Sequence, residues 1–153
     1  MGINIRAKGQ QGEREIADML NLIVYTVMKE LEYPEDECLK GFKTVQRNQM
    51  QTAVGGNDLT NCFGMSIEIK RQEALSVNTW WAQCLAAAER NNEMPVLMYR
   101  QNRKSWHVRT FVWVNLPGAK HIRVVGEFDI DSFKNWFKEW VRLKLLEGAE
   151  VRL

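Results

Sequence analysis

The sequence predicts one α/β domain built around a mixed β-sheet. Apolar residues recur with helical spacing near both ends of the chain, short strand-like runs lie between them, and no linker or repeat divides the 153 residues. A composition of 45% hydrophobic and 26% charged residues is that of an ordinary globular domain. The longest apolar run falls far short of the roughly 20 residues of a membrane span. The N-terminus lacks the apolar core of a signal peptide, so we expect an intracellular protein.

The first predicted element is a helix over residues 10–32, in which apolar side chains recur at three- and four-residue steps. Pro34 ends it, because the residue before a proline is disfavoured in the helical conformation. The glycine-containing segment 9–12 is predicted to be a loop that leads into this helix. A short strand is expected over residues 42–47, and a polar, mobile loop over residues 48–57.

Residues 58–71 predict a β-hairpin, because apolar and polar residues alternate towards its end. If residues 62–64 form a three-residue loop with glycine last, Asp58 lies directly opposite Glu68. Lys70 shares the face of Glu68, since side-chain direction repeats every second residue. The other face is apolar and is expected to pack on a helix; it carries Leu59, Ile67 and Ile69.

The second half of the chain predicts two helices and three strands. The helices cover residues 78–92 and 129–146, and the strands cover residues 95–100, 106–116 and 121–128, the last two joined by a turn at Pro117-Gly118. The last helix carries a wide apolar stripe that predicts a core or dimer-interface position; it consists of Phe133, Trp136, Phe137, Trp140 and Val141.

Two residue classes exclude some kinds of site. Cys38, Cys62 and Cys84 lie far apart and are odd in number, which argues against a disulfide framework and against a zinc site. The two histidines are isolated from each other.

Net charge is only +2, but segment 99–109 holds four permanent cations and no acid. This segment either binds phosphates or forms a solvated hairpin turn.

The opposed acids suggest a metal site. Like charges that face each other across a strand pair are destabilising, and a divalent cation between Asp58 and Glu68 would reverse the repulsion. Oxygen ligands suit Mg²⁺ or Mn²⁺. With Lys70 to stabilise transition-state charge, this set suits phosphodiester hydrolysis. An amphipathic hairpin without function remains the alternative interpretation of the same residues.

Asp58 together with Glu68-Ile69-Lys70 resembles the motif of the PD-(D/E)XK nuclease superfamily, although Asn57 stands where the family has proline. Segment 8–15, KGQQGERE, is similar to the Lys-Gly-x-x-x-Glu-Arg-Glu signature that begins the N-terminal helix of archaeal-type Holliday junction resolvases. A basic residue, Arg47, followed by a glycine-containing loop and the acid also matches. The similarity covers residues 6 to about 110. It implies a restriction-endonuclease-like core over residues 1–115, with residues 116–153 as a C-terminal strand-and-helix elaboration of the same domain.

The resemblance also implies functional residues. Glu13, Asp58 and Glu68 would bind Mg²⁺, with Mn²⁺ as a substitute and the backbone carbonyl of Ile69 as a further ligand, and Lys70 would complete the catalytic set. The residues expected to contact DNA or brace the site are Lys8, Arg14, Arg47, Arg71, Arg103 and Lys104. For Glu13 and Glu15, a favourable charge at a helix start is the competing explanation, and for Glu15 it is the preferred one.

The expected function is therefore a Mg²⁺-dependent endonuclease that resolves four-way DNA junctions in recombination and repair. A two-fold homodimer would match the two strands cut in a junction. We expect it in the cytoplasm, that of the host cell if the protein is viral. Three alternatives stay open: a nuclease for flaps, single strands or a duplex target, a non-catalytic DNA-binding module, and a structural or protein-interaction role.

Overall fold

The computed structural model of the protein describes residues 5–49 and 57–148. The helices are α1 (Ile5–Glu30), α2 (Glu35–Lys40), α3 (Val77–Asn91) and α4 (Ile130–Leu146), with a 3-10 turn at Gly41–Lys43. The strands are β1 (Gln46–Arg47), β2 (Leu59–Thr60), β3 (Met65–Arg71), β4 (Met94–Arg100), β5 (His107–Leu116) and β6 (Lys120–Asp129).

The main sheet has the strand order β3-β4-β5-β6. Strands β3 and β4 run parallel, and the other two pairs are antiparallel, so the predicted mixed sheet is confirmed. A separate antiparallel pair is formed by β1 and β2. The turn predicted at Pro117-Gly118 joins β5 to β6, and the second-half elements lie within two residues of their predicted bounds.

Helices cover both faces of the sheet, and the strand β4 shows how. Its alternate residues Val96 and Met98 belong to the larger core, which α1 and α4 share. Leu97 and Tyr99 belong to a smaller core with the tryptophans of α3. Because partners in a parallel ladder share a face, Glu68 beside Leu97 lies on the α3 side of the sheet. The apolar face of β3 lies on the α1 side, as the sequence predicts.

Helix α4 is a core element, because its stripe of Phe133, Phe137 and Val141 is fully buried. Trp136 and Trp140 are partly buried against the same core. This confirms the core interpretation of the stripe, whereas a role in a dimer interface stays a prediction. The three cysteines are free and buried. None of the helices in the described residues is long and apolar enough to span a membrane.

Helix α1 begins at Ile5, so the loop predicted over residues 9–12 is wrong. Gly12 lies inside the helix and is buried. A Cβ placed there would lie 3.4 Å from Trp106 Cη2 and 3.6 Å from Ile69 Cγ2. The glycine therefore marks a close approach of the helix to β3, and tertiary packing outweighs its poor helix propensity.

The strand predicted over residues 42–47 is reduced to Gln46–Arg47. The side chain of Asn21 accounts for the difference: its amide group donates to the carbonyl oxygen of Val45 at 2.9 Å, and its oxygen accepts from the Val45 N–H at 2.8 Å. Both backbone groups of Val45 are thus satisfied by a helix side chain rather than by a strand. Of the loop predicted over 48–57, residues 50–56 lie outside the described residues.

The hairpin predicted over residues 58–71 does not form as a ladder. Strand β2 pairs with β1, in the register Gln46 with Thr60, and β3 pairs with β4. The backbone turns left-handed three times between the two arms, at Asn61, Phe63 and Gly64 (φ 59°, 56° and 88°), which separates their directions. Gly64 does take the left-handed conformation that the sequence predicts for the end of the loop.

Candidate active site

Asp58 lies along the outer edge of β3, although no hairpin ladder places it there. Its backbone N–H donates to the carbonyl oxygen of Ile67 at 2.8 Å. In return, the Ile69 N–H donates to Asp58 Oδ2 at 2.6 Å. These two bonds reach the residues on either side of Glu68. The two acids predicted to face each other are therefore brought together, by a side-chain contact that replaces a strand pair.

Glu68 and Lys70 follow on the same strand. Glu68 and Asp58 are each only 9% exposed, and the Lys70 ammonium group lies 3.9 Å from Glu68 Oε1. Burial and the Asp58 carboxylate raise the pKa of Glu68 to about 8, against the lowering effect of Lys70. A carboxylate that is desolvated beside another acid is costly for stability, and a cation would relieve the cost.

A polar cleft of about 710 Å³ opens beside this pair. It is bounded by the first half of α1, the end of β1 and the carboxyl end of β3. Among the described residues that line it, five are cationic and two are acidic: Arg6, Arg14, Arg47, Lys70 and Arg71, with Glu13 and Asp58. The walls therefore suit a polyanion.

Glu13 reaches the cleft from the third turn of α1. Its carboxylate accepts from Arg47 Nε at 2.9 Å, and the two side chains are 12% and 23% exposed. Because the helix begins at Ile5, the helix-start explanation for Glu13 and Glu15 is wrong. Glu15 instead accepts from Trp106 Nε1 at 2.9 Å and pairs with Arg100.

The donor set of Asp58 and Glu68 fits a hard divalent cation. Mg²⁺ is commonly held by one or two carboxylates, with the remaining positions left to water and substrate. The Ile69 carbonyl adds a donor, since the N–H of that residue points to Asp58 and both backbone groups of a strand residue point to the same side. Within the described residues, no three acidic, histidine or cysteine side chains stand close enough to hold a metal, and Glu13 is engaged by Arg47.

The predicted DNA-contacting residues divide into two groups. Arg14, Arg47 and Arg71 line the cleft, and Arg71 also donates to Gln11 Oε1 at 2.9 Å. Lys8, Arg103 and Lys104 lie outside it. Lys8 pairs with Glu73 at 3.2 Å.

The segment 99–109 covers the end of β4, the turn that follows and the start of β5, with Arg103 and Lys104 exposed in the turn. Its other two cations are ion-paired, Arg100 with Glu15 and Arg109 with Glu127. The hairpin-turn interpretation is therefore correct for its backbone, and only the two exposed cations are left to bind phosphate.

Three residues near the site have no signal in the sequence pattern. Arg90, on α3, lowers the pKa of Glu68 through its charge. Asn48 supports Asp58 by donating its backbone N–H to the Asp58 carbonyl at 2.9 Å. Arg6 lines the cleft one turn before Gly9. Arg90 is brought to the site by the fold, whereas Arg6, on the helix of Glu13, and Asn48, next to Arg47, match no position of the local motif.

The profile of a family described as "Phage putative PDDEXK endonuclease" matches residues 4–141. Neither a comparison with curated proteins nor one with solved structures found a match. The matched region includes Glu13, Asp58, Glu68 and Lys70, and the α/β fold with a mixed sheet between helices agrees with a restriction-endonuclease-like core. The chain belongs to this endonuclease family and is a nuclease of the PD-(D/E)XK type.

Proposed function

We propose that the protein is a metal-dependent endonuclease that cuts branched DNA, with the four-way (Holliday) junction as its substrate. The observation that carries the proposal is the buried pair of Asp58 and Glu68, with Lys70 beside it, at the edge of a cation-lined cleft. The choice of a junction rests on the KGQQGERE segment and its similarity to resolvases. The family match supports the nuclease chemistry without naming the DNA structure that is cut.

Asp58, Glu68 and the Ile69 carbonyl would hold Mg²⁺ or Mn²⁺, and Glu13 would join them on release from Arg47. When bound, the cation supplies an activated water and neutralises charge on the scissile phosphate. Lys70, 3.9 Å from Glu68, donates hydrogen bonds to the attacking water or to the phosphate oxygens. Arg14, Arg47 and Arg71 bind the flanking phosphates, because guanidinium groups match phosphate oxygens in pairs.

Substrate symmetry supports a homodimer. A four-way junction presents two equivalent strands, and two sites related by a two-fold axis would cut both. Such a dimer reads the shape and phosphates of the junction rather than its bases. Because the family description names phage, we place this activity in the cytoplasm of an infected cell, in recombination or repair of DNA.

Cleavage of a synthetic four-way junction, measured beside a linear duplex of the same sequence, tests the proposal. We expect junction cutting that requires Mg²⁺ or Mn²⁺, and that Asp58→Asn and Glu68→Gln abolish. Glu139→Gln, an isosteric change of an acid paired with Arg142 on α4, is the matched control and should cut normally.

Each contrary outcome removes a defined part of the proposal. Equal cutting of the junction and the duplex would contradict the claim that the junction is the substrate. A preference for flaps or single strands would mean that the same site serves a different nuclease function. Undiminished cutting by the two variants removes the site. Junction binding without metal-dependent cutting identifies a non-catalytic DNA-binding module.

A further inference from the structure

We infer that Arg47 is a positioning residue that keeps Glu13 out of the metal site until a DNA phosphate takes up its guanidinium group. The inference rests on the proposed function and deepens it. In this mechanism, Arg47 exchanges Glu13 for a DNA phosphate, and binding of the metal therefore depends on binding of the substrate. In the DNA-free protein, Arg47 Nε and Glu13 Oε2 form an ion pair, 2.9 Å apart.

This ion pair lies inside the cleft rather than on the outer surface. Both residues line the cavity, and their side chains are only 23% and 12% exposed. A shielded pair of this kind is screened little by salt, so it holds Glu13 firmly in the DNA-free protein. The pair also joins residues 34 positions apart in the chain, which links α1 to β1 across the cleft.

Backbone hydrogen bonds connect the strand of Arg47 to Asp58, one of the proposed metal ligands. Arg47 pairs with Leu59 in the β1–β2 ladder, and the adjacent Asn48 N–H donates to the Asp58 carbonyl oxygen at 2.9 Å. Arg47 and Asp58 are thus parts of one small unit, whereas Glu13 belongs to α1. Contact of this unit with DNA therefore acts at once on Asp58 and on the partner of Glu13.

The exchange follows from the chemistry of the two groups. An arginine stays protonated, so a phosphate competes with Glu13 for it, and the phosphate accepts the guanidinium fork with matched geometry. Released Glu13 stands near Asp58 and Glu68, and its charge already raises the pKa of Glu68. A third acid there is unfavourable without a cation and favourable with one. DNA and metal must then strengthen each other's binding by the same factor.

Binding of Mn²⁺ to the DNA-free protein, measured by titration calorimetry, tests the metal side of this coupling. We expect Arg47→Ala to tighten Mn²⁺ binding about tenfold, a typical size for coupling between sites. Arg14→Ala is the matched control, because it removes the same charge from the same cleft, and Arg14 forms no ion pair with an acid in the described part of the chain. The gain should disappear in the Arg47→Ala/Glu13→Gln protein. Arg47→Gln, which keeps most of the side-chain stem, replaces Arg47→Ala if that variant does not fold.

Junction affinity in the presence of EDTA tests the DNA side. We expect Glu13→Gln to bind the junction several-fold more tightly than wild type, because Arg47 is then free for phosphate. Asp58→Asn removes an equal charge from the cleft and should tighten binding much less.

The outcomes separate the inference from the proposed function. Equal gains in Mn²⁺ affinity for Arg47→Ala and Arg14→Ala, or equal gains in junction affinity for Glu13→Gln and Asp58→Asn, would show a bulk charge effect and overturn the gating role. A gain that persists without Glu13 overturns it too. Absence of Mn²⁺ binding by every variant would instead overturn the metal-dependent function, and the gating role with it.

Discussion

The outer edge of β3 and the far end of the β5–β6 hairpin depart from ordinary burial in opposite ways. At the β3 edge, two carboxylates are buried beside each other. In the hairpin arm, which comprises residues 111–125, large apolar side chains face solvent, with Trp113 50% and Ile122 48% exposed. The arm extends past the rest of the described sheet, because β4 pairs with β5 only as far as Thr110.

The charge pattern separates the two regions as well. The β3 edge combines acids with the cations around them, whereas residues 94–126 contain no acid at all. In the arm, Arg123 lies 4.1 Å over the ring of Phe111. Stability alone favours neither arrangement, since a buried pair of acids costs free energy and a half-exposed aromatic residue gains little from folding. The helix-covered core between the two regions therefore provides most of the stability, and the β3 edge and the arm are left free for interactions.

The largest effect should come from the core. We expect Phe137→Ala to lower the free energy of unfolding by about 3–5 kcal/mol, because a fully buried ring is removed and a cavity remains. Trp113→Ala, the matched aromatic truncation in the arm, should cost about 0.5 kcal/mol or less. Urea denaturation measures both. A cost for Trp113→Ala near that of Phe137→Ala would mean that the arm is part of the core.

Lys70→Ala should give the next largest effect, on catalysis. We expect the cleavage rate to fall about a hundredfold while junction affinity changes only a few-fold, because Lys70 acts mainly on the transition state. Single-turnover cleavage and a binding titration separate the two quantities. Lys8→Ala, a lysine outside the cleft that pairs with Glu73, is the control and should cut at nearly the normal rate. Equal losses of rate and affinity would reduce Lys70 to a phosphate contact.

Glu68→Gln should leave stability unchanged or raise it, by up to about 2 kcal/mol at pH 8 without metal. The substitution removes a desolvated carboxylate that faces Asp58, and buried like charges are unfavourable. Denaturation with urea in the presence of EDTA measures the change. A clear loss of stability would show that Glu68 stabilises the fold. It would contradict the view that the buried acids at the β3 edge lower stability while the core provides it.

The smallest effect should appear in the salt dependence of DNA binding. Arg103→Ala and Lys104→Ala, in the exposed turn after β4, should each weaken binding and lower the salt slope by about one. Lys120→Ala, at the end of the arm, is the comparison. An unchanged slope for the turn variants removes that segment from the DNA interface, and a lowered slope for Lys120→Ala extends the interface to the arm.

The sequence predicted what depends on local periodicity. The second-half elements and the buried stripe of α4 follow from spacing alone, and Pro117-Gly118 marked its turn correctly. The alternation of residues 66–70 also predicted that Glu68 and Lys70 share a face. Errors arose where a distant contact decides the conformation. Gly12 suggested a loop, but it is a helix residue that packs against Trp106, 94 positions away in the sequence. The predicted strand over residues 42–47 is shorter because Asn21 binds the backbone of Val45, 24 positions further on.

The candidate site shows the same division. Motif spacing predicted that Asp58, Glu68 and Lys70 lie together, but the local pattern suggested a hairpin ladder where the structure has a side-chain bond to Ile69. The partner of Glu13 could not be predicted, because an ion pair between α1 and β1 leaves no periodic signal. The metal and the branched DNA are proposals that the cleavage and binding experiments above test.

The bond from the Ile69 N–H to Asp58 has a consequence for self-association. An edge strand with unpaired backbone groups invites a second chain to add to the sheet, and proteins commonly block such edges with charged side chains. Asp58 occupies the Ile69 donor at 2.6 Å, and its own N–H covers the Ile67 carbonyl. The candidate catalytic acid Asp58 therefore also shields these two backbone groups at the edge of β3 from a second chain. A change of Asp58 to a residue without a side-chain acceptor would remove the partner of the Ile69 N–H and open that edge to a second chain.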